Sequence, residues 1–512
     1  MSMSATRYSL RSTPDRGGGM AEPTGQQLTG WDAATWRTAA GDPSLRSTVV
    51  GVCLLDSTPS WERLRARVDR LTCLVPVLRQ RPIRGLFGVA SPRLASDPDF
   101  DLDLHLRRMR LAGSGTWAEL LDEARRLSLT DFDRDRPLWE MVLVEGVEGG
   151  RSALLLKLHH SIADGRATVL IGLSLVELGV DPNPDEPIAP PPPEATDITQ
   201  QAVSLADIAD NVRRAKGALE RAGEIVADLA RGSLRDPVST WSSAFSTLAS
   251  VGRFTAVPDG PMSPLMTGRG TTYRFAAFDL PFTELRAAAK SRDRSVNDAF
   301  VAAVGLGLER YHVRHSVVVD ELRFNVPISL RGDAGDRSGQ ASNAVTIARF
   351  TLPVAGLTVD ERMDSVHDQV ERWRLEPALR WADPLAEVSW LVPVPLLAYA
   401  ARASDVTTSN VPGPPTPLYV AGARIVGMYP LVATIGAAVN VTMVTYDGSA
   451  FIGVSADERA VPDIHELIAD LRSGFATVIG GPVGAEDPLS APGPADGTPK
   501  AHAVRDDLTP AG

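Results

Sequence analysis

The sequence predicts a mixed α/β protein made of two sandwich domains. Segments with the apolar runs of strands alternate with segments of helical spacing in both halves of the chain. A proline-rich stretch at residues 181–194 separates the halves, and 512 residues are ample for two domains of ordinary size. Because mixed patterns of this kind bury their apolar faces by packing helices onto sheets, we expect an α/β sandwich on each side of the connector.

Changes in composition divide the chain into five segments. Residues 1–27 are polar, residues 481–512 are rich in Ala, Gly and Pro, and both are predicted to be disordered. The first domain spans 28–180 and the second spans 265–480. Between them, residues 181–264 combine a proline-rich connector, an amphipathic helix and a second connector. We expect this helix to pack against its own protein, with a membrane-surface or partner-binding role left open.

The elements of the first domain follow from the spacing of apolar residues. Leu28–Trp36 is predicted to begin a helix, with Thr29 as its cap and Asp32 at the end where negative charge is favourable. Helical spacing recurs in two later segments, and continuous apolar runs predict three strands. These helices are Trp61–Leu71 and Trp117–Leu127, and the strands are Val49–Leu55, Glu140–Glu145 and Ala153–Leu158.

The second domain begins with a strand near Thr271 and shows the same mixture. Ser295 and Asp298 have the spacing of a helix capping box. The apolar stretch Trp390–Ala401 contains two prolines and is interpreted as a buried helix or a membrane contact. The other predicted strands are Leu322–Ile328, Val345–Leu352, Ala421–Met428, Ala438–Tyr446 and Ala450–Ser455, and the helices are Phe282–Ala289, Ser295–Tyr311, Asp360–Arg374 and Asp463–Ile479.

Charge and motifs exclude several functions. The net charge is −11 and no basic stripe is present, which argues against a nucleic-acid-binding protein. The glycine motifs that bind phosphates or dinucleotides are absent, as is the Gly-x-Ser-x-Gly elbow of serine hydrolases. The two cysteines, Cys53 and Cys73, have no metal-ligand spacing around them. We therefore expect neither a metal nor a cofactor.

The stretch that organises the chain is Leu154–Val169, LLLKLHHSIADGRATV. A predicted buried strand ends there on His159 and His160, and a rigid strand end is a position that presents side chains to a pocket. Neighbouring strand residues point to opposite faces, so one histidine can face a cavity while the other packs the turn. Histidine suits proton transfer because its pKa is ordinarily about 6.5. Asp164 follows closely, and Gly165 permits a sharp turn.

Taken singly, each of these residues has a simpler interpretation. A histidine at a strand end is commonly structural, and an Asp-Gly pair is commonly a turn. Together they form His-His-x-x-x-Asp-Gly, which resembles the signature of acyltransferases related to chloramphenicol acetyltransferase and to peptide-synthetase condensation domains. Pro137-Leu138-Trp139 upstream, the Thr29–Trp36 segment and TSNVPGP at Thr408–Pro414 are similar to the bacterial wax ester synthase/diacylglycerol acyltransferase family. Val432 and Ala433 depart from that family's usual glycine and proline.

The resemblance covers residues 28 to about 479 and implies a function. It implies two chloramphenicol-acetyltransferase-like domains with the active site between them. The reaction implied is transfer of a long-chain acyl group from acyl-CoA to diacylglycerol or a long-chain alcohol. His160 would be the general base, while His159, Asp164 and Gly165 would shape the turn. Arg331 is the implied partner of Asp164.

The resemblance also indicates further contacts in the second half. Asn297, Asp298, Ser409 and Asn410 are candidates for binding substrate or the oxyanion, with Ser409 and Asn410 on a loop. For Asp298, a plain helix cap is the favoured interpretation. Two other functions stay open. One is a superfamily enzyme with another acceptor or a carrier-bound donor, and the other is a non-catalytic lipid-binding protein.

Location follows from the same observations. The N-terminus lacks the apolar core of a signal peptide, and no segment has the length and apolar character of an ordinary membrane span. We therefore predict a cytoplasmic protein that works on acyl-CoA and a lipid acceptor. Because the implied products are insoluble, peripheral contact with a membrane or lipid droplet is also considered.

Overall fold

The structure is a computed structural model with a layered α/β architecture. It describes residues 26–28, 30–84, 92–162, 171–172, 174–183, 186–193, 259–329, 345–376, 392–485 and 487–489. Its helices are α1 Gly30–Gly41, α2 Trp61–Leu74, α3 Trp117–Leu129, α4 Phe282–Lys290, α5 Val296–Arg314, α6 Val359–Arg374, α7 Val394–Arg402 and α8 Ile464–Ile479. Short 3-10 turns occupy Pro43–Leu45, Pro76–Arg79, Leu102–Leu104, Glu148–Gly150 and His160–Ile162.

The strands of the described residues form two large sheets and one small one. They are β1 Gln26–Gln27, β2 Thr48–Leu55, β3 Gln80–Ile83, β4 Arg93–Ser96, β5 Leu106–Arg110, β6 Trp139–Val147, β7 Arg151–His159, β8 Tyr273–Pro281, β9 Glu321–Ser329, β10 Val345–Pro353, β11 Val406–Val411, β12 Tyr419–Val420, β13 Ala423–Val432, β14 Val439–Tyr446 and β15 Ser449–Asp457. The first six-stranded sheet has the order β12-β13-β2-β7-β6-β5. The second has the order β10-β9-β11-β14-β15-β8, and β1-β4-β3 form the small sheet.

Strand β13 links the two halves of the molecule. It comes from the second half of the sequence, yet it pairs antiparallel with β2, with Tyr429 opposite Val52. Its backbone also lies against β15, because a Cβ atom at Gly453 would stand 1.7 Å from the Pro430 carbonyl oxygen. Only glycine fits such a close approach. The sequence pattern did not indicate that a strand of the segment 265–480 would complete the first sheet.

Each large sheet has its own hydrophobic core. The first core combines α2 and α3 with β2, β6, β7 and β13, and it also takes in Phe275 and Phe451 from the second half. The second core lies under α5 and α8. These two helices approach closely, since a Cβ atom at Gly474 would stand 2.6 Å from the Ala303 carbonyl oxygen. The predicted mixed α/β class with two sandwich units is thus confirmed.

Three local predictions are corrected. Ser409 and Asn410 lie in strand β11 rather than on a loop, because Val406–Val411 pairs in parallel with β14. The first residues of the tail predicted to be disordered are placed against the body, where Gly484 N–H donates to the Asp279 carbonyl at 2.8 Å and Leu489 joins the first core. At the other end, Gln26 and Gln27 pair with β4. The apolar stretch predicted at Trp390–Ala401 contains the helix α7, which begins after Pro393.

Candidate active site at the end of strand β7

Strand β7 ends in the interior of the first sheet, between β2 and β6. The backbone N–H of His159 donates to the Leu138 carbonyl at 3.1 Å, and Thr48 of β2 is its register partner. His160 starts the 3-10 turn, and its N–H donates to the Ser47 carbonyl at 2.8 Å. Both backbones are therefore held by neighbouring segments, and the two side chains leave a rigid strand end.

The His159 side chain is enclosed by aromatic rings. It is 4% exposed, with the Trp36 ring centroid at 5.6 Å and the Phe132 ring centroid at 5.7 Å. The backbone N–H of Ser161 donates to its Nδ1, and the Ser161 hydroxyl lies 2.7 Å from the same atom. Since a backbone N–H can only donate, Nδ1 is an acceptor and the proton of the neutral ring is on Nε2. This ring is held in one orientation and one tautomer.

Burial decides the charge of His159. It lowers the pKa of the imidazole to about 3, and the positive charges of Arg134 and Lys157 act in the same direction. Its Nε2 has no hydrogen-bond partner among the described residues. An enclosed and neutral ring without a route to a second partner is suited to holding the turn rather than to exchanging protons.

A buried lysine supports this side of the strand. Lys157 lies two residues before His159 and so shares its face. Its Nζ is 2.7 Å from Glu140 Oε1 and 2.9 Å from the Thr130 carbonyl, and it stands 4.2 Å from the centroid of the Phe132 ring. Burial lowers the pKa of Lys157, whereas the Glu140 charge opposes that shift. The lysine thus fixes Phe132, which in turn packs against His159.

His160 faces the other way and meets a different environment. Its side chain has accessible surface, yet protein atoms surround the ring closely enough that desolvation lowers its pKa. The residue's own backbone opposes the shift by accepting a hydrogen bond from the ring. One ring nitrogen then carries the proton, and the other can accept a proton. A neutral, reachable imidazole of this kind can act as a general base.

Sequence comparison identifies the family that carries this site. A family model described as the wax ester synthase/diacylglycerol acyltransferase catalytic domain matches residues 28–300, and the C-terminal domain of that family matches 341–478. The chain belongs to this family. It is 32% identical over 453 residues to a Mycobacterium tuberculosis protein that is named, provisionally, a diacylglycerol O-acyltransferase. That match covers 86% of this chain and 90% of the relative.

Further relatives and solved structures agree with this assignment. A second M. tuberculosis protein with a diacylglycerol O-acyltransferase name is 27% identical and covers 78% of this chain and 83% of the relative. The wax ester synthase/diacylglycerol acyltransferase of Marinobacter aquaeolei VT8 superposes with a TM-score of 0.56 at 22% identity, over 88% of this chain and 98% of that one. The first condensation domain of the calcium-dependent antibiotic synthetase also has a TM-score of 0.56, at 16% identity, covering 90% and 96%. The structural matches establish the fold, and membership of the family makes the protein an acyltransferase.

The two family segments upstream of the histidines have structural roles in this acyltransferase. Trp139 of the Pro-Leu-Trp motif is buried, its indole N–H donates to the Leu78 carbonyl at 2.7 Å, and its ring stacks on His105 at 4.8 Å. Trp36, at the end of the segment near the N-terminus, packs directly on His159. The first motif therefore anchors β6, whereas the second reaches the candidate site.

Asn297 and Asp298 lie at the start of α5. Asp298 and Ser295 form a capping box, in which each side chain accepts a hydrogen bond from the other residue's backbone N–H. The Asp298 carboxylate also lies 3.4 Å from Nδ1 of His367. Among the described residues, no recorded hydrogen bond or ion pair connects Asp298 to the His160 turn. These contacts confirm the predicted cap, whereas any contact of Asn297 with substrate stays a prediction.

Ser409 and Asn410 lie where two strands separate. Strand β11 pairs with β9 only at Val406 and Thr407, whereas its pairing with β14 continues to Val411. Beyond Thr407, β11 is therefore paired with β14 but not with β9 among the described residues. Both side chains are partly buried. The oxyanion role of these two residues stays a prediction.

The remaining predicted site residues cannot be compared with the structure. Asp164, Gly165 and Arg331 lie outside the described residues. Other residues of the site were missed in the sequence. Phe132, Ser161 and Lys157 have no distinguishing pattern, although Ser161 lies inside the signature and its nearness to His159 could have been noted. Phe132 reaches the site only through tertiary packing, which periodicity does not report.

Proposed function

We propose that this acyltransferase moves a long-chain acyl group from acyl-CoA to diacylglycerol, to a long-chain alcohol, or to both. The product would be a triacylglycerol or a wax ester. The observation that carries the proposal is the contrast at the end of β7, where His160 is neutral and reachable while His159 is locked in place. The family description names the same two reactions. No cofactor is required by this chemistry.

His160 acts as the general base in the proposed mechanism. It takes the proton from the acceptor hydroxyl, and the oxygen attacks the thioester carbonyl of acyl-CoA. The tetrahedral intermediate then collapses, the C–S bond breaks, and His160 returns the proton to the departing CoA sulfur. Help of this kind is typically worth about 10²–10⁴-fold in rate. A lowered pKa keeps His160 unprotonated near neutral pH, as a base must be.

The other candidate residues stabilise this reaction. Asn297 or the polar groups of Ser409 and Asn410 would donate hydrogen bonds to the oxyanion. Asp164 would pair with Arg331 and hold the turn in shape, with Gly165 allowing the backbone to bend. His159 positions the turn from the enclosed side. A double-mutant cycle with Asp164→Asn and Arg331→Gln tests the pairing, since independent residues would give additive losses.

The substrates place demands on the location of the enzyme. No helix within the described ranges combines the length and apolar character needed to span a membrane. We propose a cytoplasmic enzyme that makes peripheral contact with a membrane or lipid droplet. The helix α7 supports such a contact, because Leu396 and Tyr399 are 43% and 49% exposed. A vesicle flotation assay with Leu396→Ser and Tyr399→Ser tests it, and unchanged flotation of the double variant would remove α7 from this role.

The function is tested by measuring CoA release from palmitoyl-CoA. We expect release that depends on added dipalmitoylglycerol or hexadecanol, and the better acceptor names the main product. Release that ignores the acceptor would contradict acyl transfer to a lipid. If folded protein releases no CoA with either acceptor, the donor or the acceptor assigned here is wrong. A retained affinity for both lipids would then favour the non-catalytic lipid-binding alternative.

A further inference from the structure

The second half carries a group of metal-binding side chains far from the histidine turn in sequence. His315 caps the C-terminal end of α5, while Asp463 and Glu466 come from the start of α8. One ligand atom from each of the three lies within 4.8 Å of the other two. We propose that these residues bind a divalent transition-metal ion of the zinc class.

The tautomer of His315 suits this role. Its Nδ1 lies 2.8 Å from the Tyr311 carbonyl oxygen, which can only accept, so Nδ1 carries a proton and Nε2 is the nitrogen left to meet a ligand. Metal-binding histidines are commonly oriented in this way, with the other ring nitrogen donating to a carbonyl. The Nε2 atom points to Glu466, whose Oε2 is 3.6 Å away. A carboxylate opposite Nε2 calls for a proton or a metal ion between the two atoms, and the proposal assigns the metal ion.

A second and independent observation comes from Tyr311. Its side chain is fully buried, and its hydroxyl has no hydrogen-bond partner among the described residues. The ring centroid lies 4.5 Å from that of His315. Asp463, Glu466 and Asp470 follow one another along α8, the helix that packs against α5, which carries Tyr311. Buried hydroxyls nearly always have partners, and a water molecule on a bound ion would supply one.

The surrounding charges leave the two carboxylates available. Asp470, the third acid near Tyr311, is already paired with Arg314, at 2.7 and 2.8 Å. Among the described residues, no arginine or lysine forms a recorded ion pair with Asp463 or Glu466. An imidazole with two carboxylates favours zinc-like ions over Mg²⁺ or Ca²⁺, which prefer oxygen ligands alone. The ion would tie α5 to α8, the helix pair over the second core.

Titration of untagged full-length protein with ZnCl₂ at neutral pH, followed by calorimetry and by the Tm, tests the site. We expect one equivalent to bind and to raise the Tm, while MgCl₂ has no such effect. His315→Ala and the conservative Glu466→Gln should each weaken binding at least about tenfold. His465→Ala is the matched control, because this neighbouring histidine lies outside the group, and it should bind as the wild type does.

A spectroscopic readout separates a coordinated ion from a simple ion pair. Co²⁺ bound through one nitrogen and carboxylate oxygens gives a visible absorption band, which should be lost in His315→Ala. Equal zinc affinity in the wild type, His315→Ala and Glu466→Gln would overturn the proposal. So would an unchanged Tm with ZnCl₂, since His315 and Glu466 would then form only a protonated ion pair.

Discussion

The two sides of the β7 terminus differ although they start from adjacent residues. On one side, His159 is enclosed by Trp36 and Phe132 and fixed by Ser161. On the other side, His160 has accessible surface, and one of its ring nitrogens can accept a proton. The division falls where the strand ends, because His159 is the last residue of β7 and His160 starts the 3-10 turn. The contrast teaches that one histidine is fixed by its surroundings, whereas the other is the one that the proposed mechanism uses as the base.

The largest expected effect comes from removing the reactive side. We expect His160→Ala to lower the rate of acyl transfer about 10²–10⁴-fold, because the general base is lost. The free energy of unfolding should change little, since this ring is accessible. Acceptor-dependent CoA release and urea denaturation provide the two measurements. A variant that keeps more than a tenth of the activity would show that another group accepts the proton.

Removing the enclosed side should give the reverse pattern. His159→Ala leaves a cavity among Trp36 and Phe132 and an unpaired Ser161, and we expect a loss of about 2–4 kcal/mol in the free energy of unfolding. Activity should fall less than in His160→Ala when compared per folded molecule. Ser161→Ala, which removes only the hydroxyl, is the matched control. Unchanged stability in both variants would contradict the positioning role.

The pH dependence of stability should sharpen the same contrast. The pKa of His159 is about 3 in the folded protein and ordinarily 6.5, so unfolding takes up a proton between these values. Its contribution is complete above about pH 6.5 and is lost as the pH falls towards 3. Between pH 6.5 and 5 the wild type should lose about 2 kcal/mol more than His159→Gln. Parallel stability curves for the two proteins would rule out the lowered pKa.

The smallest effect is expected at Asp298, a predicted site residue that the structure places in a helix capping box. Asp298→Ala should cost about 1 kcal/mol of stability through the lost capping box, with little change in activity. Ser295→Ala removes the partner of the same box and should behave alike. A large loss of activity in Asp298→Ala but not in Ser295→Ala would show that Asp298 takes part in the reaction. The reaction would then involve more than the His160 side of the strand end.

Much of the fold could be predicted because apolar spacing is a local signal. The strand predicted at Ala153–Leu158 is Arg151–His159 in the structure, and the Ser295 cap is where the sequence indicated it. The failure at Ser409 and Asn410 has a physical reason. Prolines and glycine follow them closely and mark a loop, whereas their strand is established by parallel pairing with β14, about thirty residues away. Local patterns do not contain that pairing.

The candidate site divides in the same way. The histidine pair and the enclosure of only one of its side chains could be predicted from a signature, although His160 lies in a 3-10 turn and strand alternation does not reach it. The residues that enclose His159 could not be predicted, because Trp36 and Phe132 are brought to it by α1 and by the segment after α3. The proximity of His315 to Asp463 and Glu466 could not be predicted either, because about 150 residues separate them in the sequence.

The crossing of β13 into the first sheet has a consequence for how the chain folds. Val432 pairs with Val49, so about three-quarters of the sequence lies between two neighbouring strand residues. During synthesis from the N-terminus, β2 must wait with one unpaired edge until this distant strand leaves the ribosome. Contacts of such long sequence separation slow folding and leave strand edges exposed to aggregation. The two halves should therefore reach the native state together, with the last third of the chain closing the first sheet.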